Sequence, residues 1–126
     1  MNKNIFKELD TKSTNENVVY IIKFVLEDGS ILYKIGVTHY KREVERMLEI
    51  LKSFFVKYRY TPMCKLMRFK RFTSAYSIEK LLHQDLASYK FTFDKPFSGS
   101  TEFFVGLDEV DLIAKYDKIY LDHSKE

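Results

Sequence analysis

The clearest hydrophobic pattern in the chain is a pair of extended runs on either side of Glu27-Asp28-Gly29-Ser30. Val18 to Leu26 is apolar or aromatic at nearly every position, which predicts a strand covered on both faces. Ile31 to Thr38 alternates instead. Ile31, Tyr33, Ile35 and Val37 share one face, and Leu32, Lys34, Gly36 and Thr38 share the other. An Asp-Gly pair between two such runs predicts a β-hairpin. A two-residue turn would set Tyr20 opposite Val37, whereas a bulge that shifts the pairing by one sets Tyr20 opposite Gly36 with Lys34 alongside. The second register is preferred. It gathers a lysine and a bare glycine onto one interior face, where glycine lets a substrate come close to the backbone.

After the hairpin, apolar residues recur at helical spacing. Val44, Met47, Leu48, Leu51 and Phe55, widened by Ile50 and Phe54, predict a helix over about 42–56. Met63 to Phe72 reads as a third strand at a sheet edge, because of its lysines and arginines. Ile78, Leu81, Leu82, Leu86 and Tyr89 predict a helix over 75–89, capped by Thr73 or Ser74. Phe91 to Phe97 reads as a loop with exposed aromatics, and Thr101–Val105 as a short extended piece. Leu107, Val110, Leu112, Ile113, Tyr116 and Ile119 predict a last helix over 108–121, with Asp108 and Glu109 in its first turn where the helix dipole favours acids. Residues 1–17 form a polar arm, 18–121 one α+β domain, and 122–126 a tail.

Composition narrows the class. The 126 residues are 45% hydrophobic and 16% aromatic, enough for a core without a metal or disulfide staple. The one cysteine, Cys64, excludes an internal disulfide and any multi-cysteine zinc site. No apolar run approaches the ~20 residues that span a bilayer, and no signal peptide is visible, so the expectation is a soluble, cytoplasmic protein without a membrane partner. Net charge is +3, too mild by itself to prove nucleic-acid binding. Its placement says more. Between Lys57 and Arg71 stand Lys57, Arg59, Lys65, Arg68, Lys70 and Arg71, with no acid and with Tyr58, Tyr60 and Phe69 interleaved. That is the footprint of a phosphate-backbone contact, to which Arg42 would add.

Six further residues carry candidate chemistry. Glu79 falls at the border of its helix's apolar stripe, where it could hold a hard cation, and His83 follows one turn later on the same side. Arg42 and Arg46 stack four apart on one helix face. His39 follows the second strand and could assist as a base. Lys34, if desolvated, could lose its proton and act as base, or stay charged and hold a phosphate.

Tyr20, then Tyr33-Lys34-Ile35-Gly36, then Arg46, Glu79 and Thr101-Glu102-Phe103-Phe104 occur in an order that resembles the GIY-YIG nuclease superfamily. The likeness is nearest to its phage- and virus-associated branch, often described as a DNA-binding domain, and extends over 18–105. The resemblance implies a small three-stranded antiparallel sheet flanked by helices. It implies a metal-dependent endonuclease with Tyr20 and Arg46 as catalytic residues and Arg42 as competitor to Arg46, while Lys34, a catalytic candidate on its own chemistry, stands where those nucleases have tyrosine. One magnesium or manganese ion would sit on Glu79, with Tyr33, Gly36, His83 and Glu102 in support. Two other readings stand beside it. One is a nucleic-acid-binding module of the same fold that does not cut. The other is an adaptor for a protein partner, suggested by Phe91, Phe93 and Phe97. Oligomeric state stays open.

Overall fold

The computed structural model of the protein describes residues 16–124. Most of the polar arm assigned to 1–17 therefore lies outside the described residues. Strands β1 (Asn17–Val25) and β2 (Ile31–His39) form the hairpin, with Tyr20 opposite Gly36 and Ile22 opposite Lys34. The turn explains the register. Leu26 N–H donates to Ser30 O at 2.9 Å, so the loop is the three residues Glu27, Asp28 and Gly29, with Gly29 left-handed at φ 88°. An odd loop shifts the pairing by one relative to a two-residue turn, and glycine takes the left-handed position at little cost.

Helix α1 (Glu43–Tyr58) and strand β3 (Met63–Arg71) follow, and β3 pairs with β1 at the sheet edge. Next come α2 (Ala75–Asp85), a 3-10 turn at Ala87–Tyr89 and the two-residue strand β4 (Lys90–Phe91). A second 3-10 turn at Ser100–Glu102 leads into β5 (Phe103–Val105), and α3 (Glu109–Ser124) closes the described chain. Among the described residues the sheet has five antiparallel strands in the order β3-β1-β2-β5-β4, with three α-helices around it. The α+β class holds, but the three-stranded sheet does not. β5 adds to the outer edge of β2 and β4 adds to β5, and strands of two or three residues are too short to show a period of two.

Both faces of the sheet are covered. Val19, Ile21, Tyr33 and Ile35 pack against Ile78 and Leu82 of α2 and against Leu112 and Tyr116 of α3. Tyr20, Ile22, Phe24 and Leu32 pack against Ile50 and Phe54 of α1 and against Phe103. That is why Val18 to Phe24 shows no polar alternation.

Several expected burials differ. In α1 the inward face carries Ile50 and Phe54 with Met47 and Leu51, whereas Val44, Leu48 and Phe55 are exposed. The helix is apolar over an arc wide enough to hold two stripes, and periodicity cannot choose between them. Tyr89 is exposed because the α-helix ends at Asp85 before reaching it, and Leu81, inside the helix, is exposed because Ala75, Ile78 and Leu82 carry the buried face. Ser74 sits at the N-cap of α2 without a side-chain hydrogen bond. Helix α3 runs to Ser124, three residues past its expected end, into the segment read as a tail. Phe93 and Phe97 are buried, T-stacked on Phe54 of α1, so the loop is part of the core. That removes the motive for reading these rings as an adaptor surface. No helix among the described residues is long and apolar enough to cross a membrane.

Candidate functional site

β5 pairs with β2 at Leu32, Tyr33 and Lys34. Past Lys34, among the described residues, no strand lies beside the outer edge of β2, and α2 supplies the partner: His83 Nε2 donates to Ile35 O at 2.8 Å. The carbonyl only accepts, so Nε2 carries the proton and Nδ1 keeps the ring's lone pair in the neutral imidazole. The ring is fixed further by an edge contact with Phe104, 5.0 Å between centroids. Glu79, one turn earlier on α2, faces the same notch. Phe103 lies opposite Lys34, so Glu102 just before it also falls at the notch. One ligand atom from each of Glu79, His83 and Glu102 lies within 4.8 Å of the other two.

Lys34 closes the notch from the sheet. Its side chain is fully buried, and its ammonium donates to Gly99 O at 2.8 Å and to Glu102 Oε1 at 2.5 Å. Burial lowers the lysine below its ordinary range, while Glu102 opposes that shift. Both donor contacts point to the charged form. Gly99 is left-handed at φ 86°, and a Cβ there would stand 3.0 Å from Lys34 Nζ and 3.3 Å from a terminal nitrogen of Arg46. The Ser98-Gly99-Ser100 turn therefore brings the two cations to one point.

Tyr20 forms the floor. It is 1% exposed and accepts a hydrogen bond from the Arg46 guanidinium. Burial, followed by the charge of Glu102, pushes its phenol above the ordinary range, and Arg46 pulls the other way. Tyr20 is therefore a neutral phenol at physiological pH. Gly36 lies directly across the ladder, where a Cβ would collide with the Tyr20 ring and come within 3.1 Å of Glu102 Oε1. Only glycine leaves room for that ring.

Glu79 is pushed up from 4.5 to about 7, first by burial and then by the neighbouring charge of Glu102 and a hydrogen bond to it, with Lys34 opposing. The two carboxyl groups lie close together, and the charge of Glu102 favours the protonated form of Glu79. Folding raises the pKa, so this contribution to stability is fully present below about pH 4.5 and is lost as pH rises through about 7. Allowing for solvent screening at a half-buried group, the loss is about 1–2 kcal/mol. In EDTA the melting temperature should fall by a few degrees between pH 5 and pH 8, and Glu79→Gln should flatten the profile. A Glu79→Gln profile parallel to that of the parent would rule out this origin.

Other expected site residues fall elsewhere. Tyr33 points to the opposite face of β2, where its hydroxyl donates to Glu109 at 2.9 Å. Of Tyr33 and Lys34, it is Lys34 that enters the site. Arg42 caps the start of α1, bound to Glu45 at 3.0 Å and exposed, so Arg46 is the arginine at the notch. His39 is exposed at the end of β2, on the opposite face from Gly36. Arg68 is held by Asp117 through two contacts of 2.9 and 3.0 Å. Lys57 and Arg59 lie exposed at the C-terminal end of α1, Lys65 faces outward from β3 opposite Lys23, and Lys70 and Arg71 stand at the β3 edge. The basic stretch is thus split among several surfaces. Gly99, which the sequence reading did not single out, belongs to the site. Its signal was a glycine between two serines just ahead of Glu102.

No curated protein and no solved structure matches the chain. The resemblance to the GIY-YIG nucleases needs correction, because short motifs in a loose order do not single out one family, and here Val18 and Lys34 occupy motif positions that take glycine and tyrosine in those nucleases. The family model that matches is that of the T5orf172 domain, over residues 17–119, and the chain belongs to that family, which is linked to DNA binding and to nucleases.

Proposed function

We propose that the notch hydrolyses a phosphodiester bond of DNA with the help of one divalent cation, magnesium or manganese. The observation that carries the reading is the convergence of Glu79, His83 and Glu102 with the Tyr20–Arg46 pair and Lys34 at one sheet edge. Two carboxylates and an imidazole suit a hard or borderline divalent ion. The imidazole is oriented through its other nitrogen by a backbone carbonyl, as metal-binding histidines usually are. Glu79, His83 and Glu102 would hold the ion, which supplies Lewis-acid stabilisation of the phosphoryl oxygens when bound.

The remaining roles belong to the chain. The Arg46 guanidinium neutralises charge that develops on the phosphate and fixes the Tyr20 hydroxyl. Tyr20, protonated at neutral pH, accepts a hydrogen bond from the attacking water and sets its direction; the water's proton leaves to bulk solvent as the new P–O bond forms and the P–O bond to the departing sugar oxygen breaks. Lys34 already spends its ammonium on Gly99 O and Glu102, so it acts as a positioning cation and not as the base.

The test is to incubate the full chain with supercoiled plasmid, with and without manganese, beside Glu79→Ala. Nicking by the parent only, and only with metal, is the expected result. Intact plasmid under every condition overturns the hydrolytic reading. The second reading, a DNA-binding module that does not cut, is favoured by the neutral Tyr20 phenol. It predicts a gel shift that fades as salt rises.

A further inference from the structure

A second concave surface lies away from the notch, along the free edge of β3. It is a groove of about 720 Å³ between that edge and α3, reached also by Tyr40. Aromatic and basic side chains flank the β3 edge from both faces, Phe69 and Arg71 on the face of Tyr20 and Lys70 with Tyr120 on the face of α3. Phe69 is half exposed. The Arg71 guanidinium lies 4.3 Å from the Tyr40 ring centroid, and Lys70 Nζ lies 5.3 Å from that of Tyr120. Among the described residues the acid lining the groove is Asp117, which Arg68 already neutralises, so Asp117 leaves the positive charge of Lys70 and Arg71 largely available there. Among the described residues the acid partner of Arg71 is Glu16, in an exposed contact of 3.4 Å that counts for little.

We propose that this groove binds unpaired nucleotides of a DNA strand, with bases stacking on Phe69 and the neighbouring tyrosines and with phosphates on Lys70 and Arg71. The ligand class follows from the residues. Aromatic faces stack any unpaired base, and the interleaved cations follow the backbone without reading sequence. A duplex keeps its bases stacked inside and offers those rings nothing to hold.

The sheet register connects the groove to the notch. Phe69, Tyr20 and Gly36 form one row across β3, β1 and β2. Two strand spacings, about 10 Å, separate its ends. A strand held in the groove can thus reach the notch, but the groove proposal goes beyond the hydrolytic reading and does not depend on it.

Fluorescence anisotropy in EDTA, with a labelled oligothymidine of about 15 nucleotides and a matched duplex, tests it. The single strand should bind more tightly than the duplex. Phe69→Ala should weaken that binding about 5–100-fold without changing the melting temperature, and Phe69→Trp should restore it. Lys70→Ala and Arg71→Ala should each reduce the slope of log affinity against log salt by about one. Equal affinity for duplex, or an unchanged Phe69→Ala, overturns the groove. Capture of an acidic peptide in place of DNA also overturns it and would assign the free β3 edge to strand pairing. Because the chelator silences any metal chemistry, a failed plasmid assay with intact single-strand binding would sink the hydrolytic reading alone.

Discussion

The Gly36→Ala variant is expected to be about 1–3 kcal/mol less stable than the parent and to lose the Tyr20–Arg46 contact. The added Cβ would stand 2.6 Å from Tyr20 Cζ and 3.1 Å from Glu102 Oε1. Neither neighbour yields easily. Tyr20 is buried under α1 and tied to Arg46, and Glu102 is held by Lys34 at 2.5 Å. Alanine would regain about 0.5–1 kcal/mol of backbone entropy in a strand, less than the cost of overpacking. Gly29→Ala is the control. It strains a left-handed turn at φ 88° by about 1–2 kcal/mol but meets nothing within 4 Å, so the notch stays whole. Urea unfolding of both variants, together with the plasmid assay, separates the two mechanisms. If Gly36→Ala nicks plasmid as well as Gly29→Ala does, the close approach of Tyr20 has no role in the chemistry. A double variant, Gly36→Ala with Tyr20→Leu, should recover stability by removing the ring, because contacting residues couple.

The parts of this site that were legible in the sequence are those set by short-range rules. Alternation in Ile31–Thr38 assigned Lys34 and Gly36 to one face, and the preference for a bulged turn set Tyr20 opposite Gly36, as the three-residue loop does. A spacing of four put Glu79 and His83 on one side of α2. What the sequence hid depends on distant parts of the chain. Glu102 becomes a partner of Lys34 only because Phe103 pairs with Lys34, and β5 is too short to announce that register. Arg68 looked like a phosphate contact until Asp117, forty-nine residues away, arrived beside it. Phe93 and Phe97 sat in a stretch without periodicity, and loops are normally at the surface. Here the rings fill the space beside Phe54 that the inward face of α1 leaves open.

The second large effect concerns Lys34. Lys34→Met should cost about 2–4 kcal/mol, even though methionine nearly matches the buried volume. The loss comes from what stays behind: Glu102 loses its cation while still facing Glu79 at the notch. Removing one member of a buried pair is costly, and the partly exposed Glu102 places the value below the range for a fully buried pair. The sign with pH is fixed too. Lys34 holds the Glu79 pKa down, so without it Glu79 rises above about 7, and the fall in stability with pH, which still begins near pH 4.5, becomes deeper and extends to higher pH. Lys34→Met should therefore melt close to the parent at pH 5 and well below it at pH 8. Adding Glu102→Gln should return much of the loss, because the double variant buries no unpaired charge. Divalent metal should stabilise Lys34→Met at pH 8 through the two remaining carboxylates. Thermal melts of the three proteins in EDTA and in manganese read all of this. A Lys34→Met variant as stable as the parent at pH 8 would show that the ammonium is not what keeps Glu79 and Glu102 together.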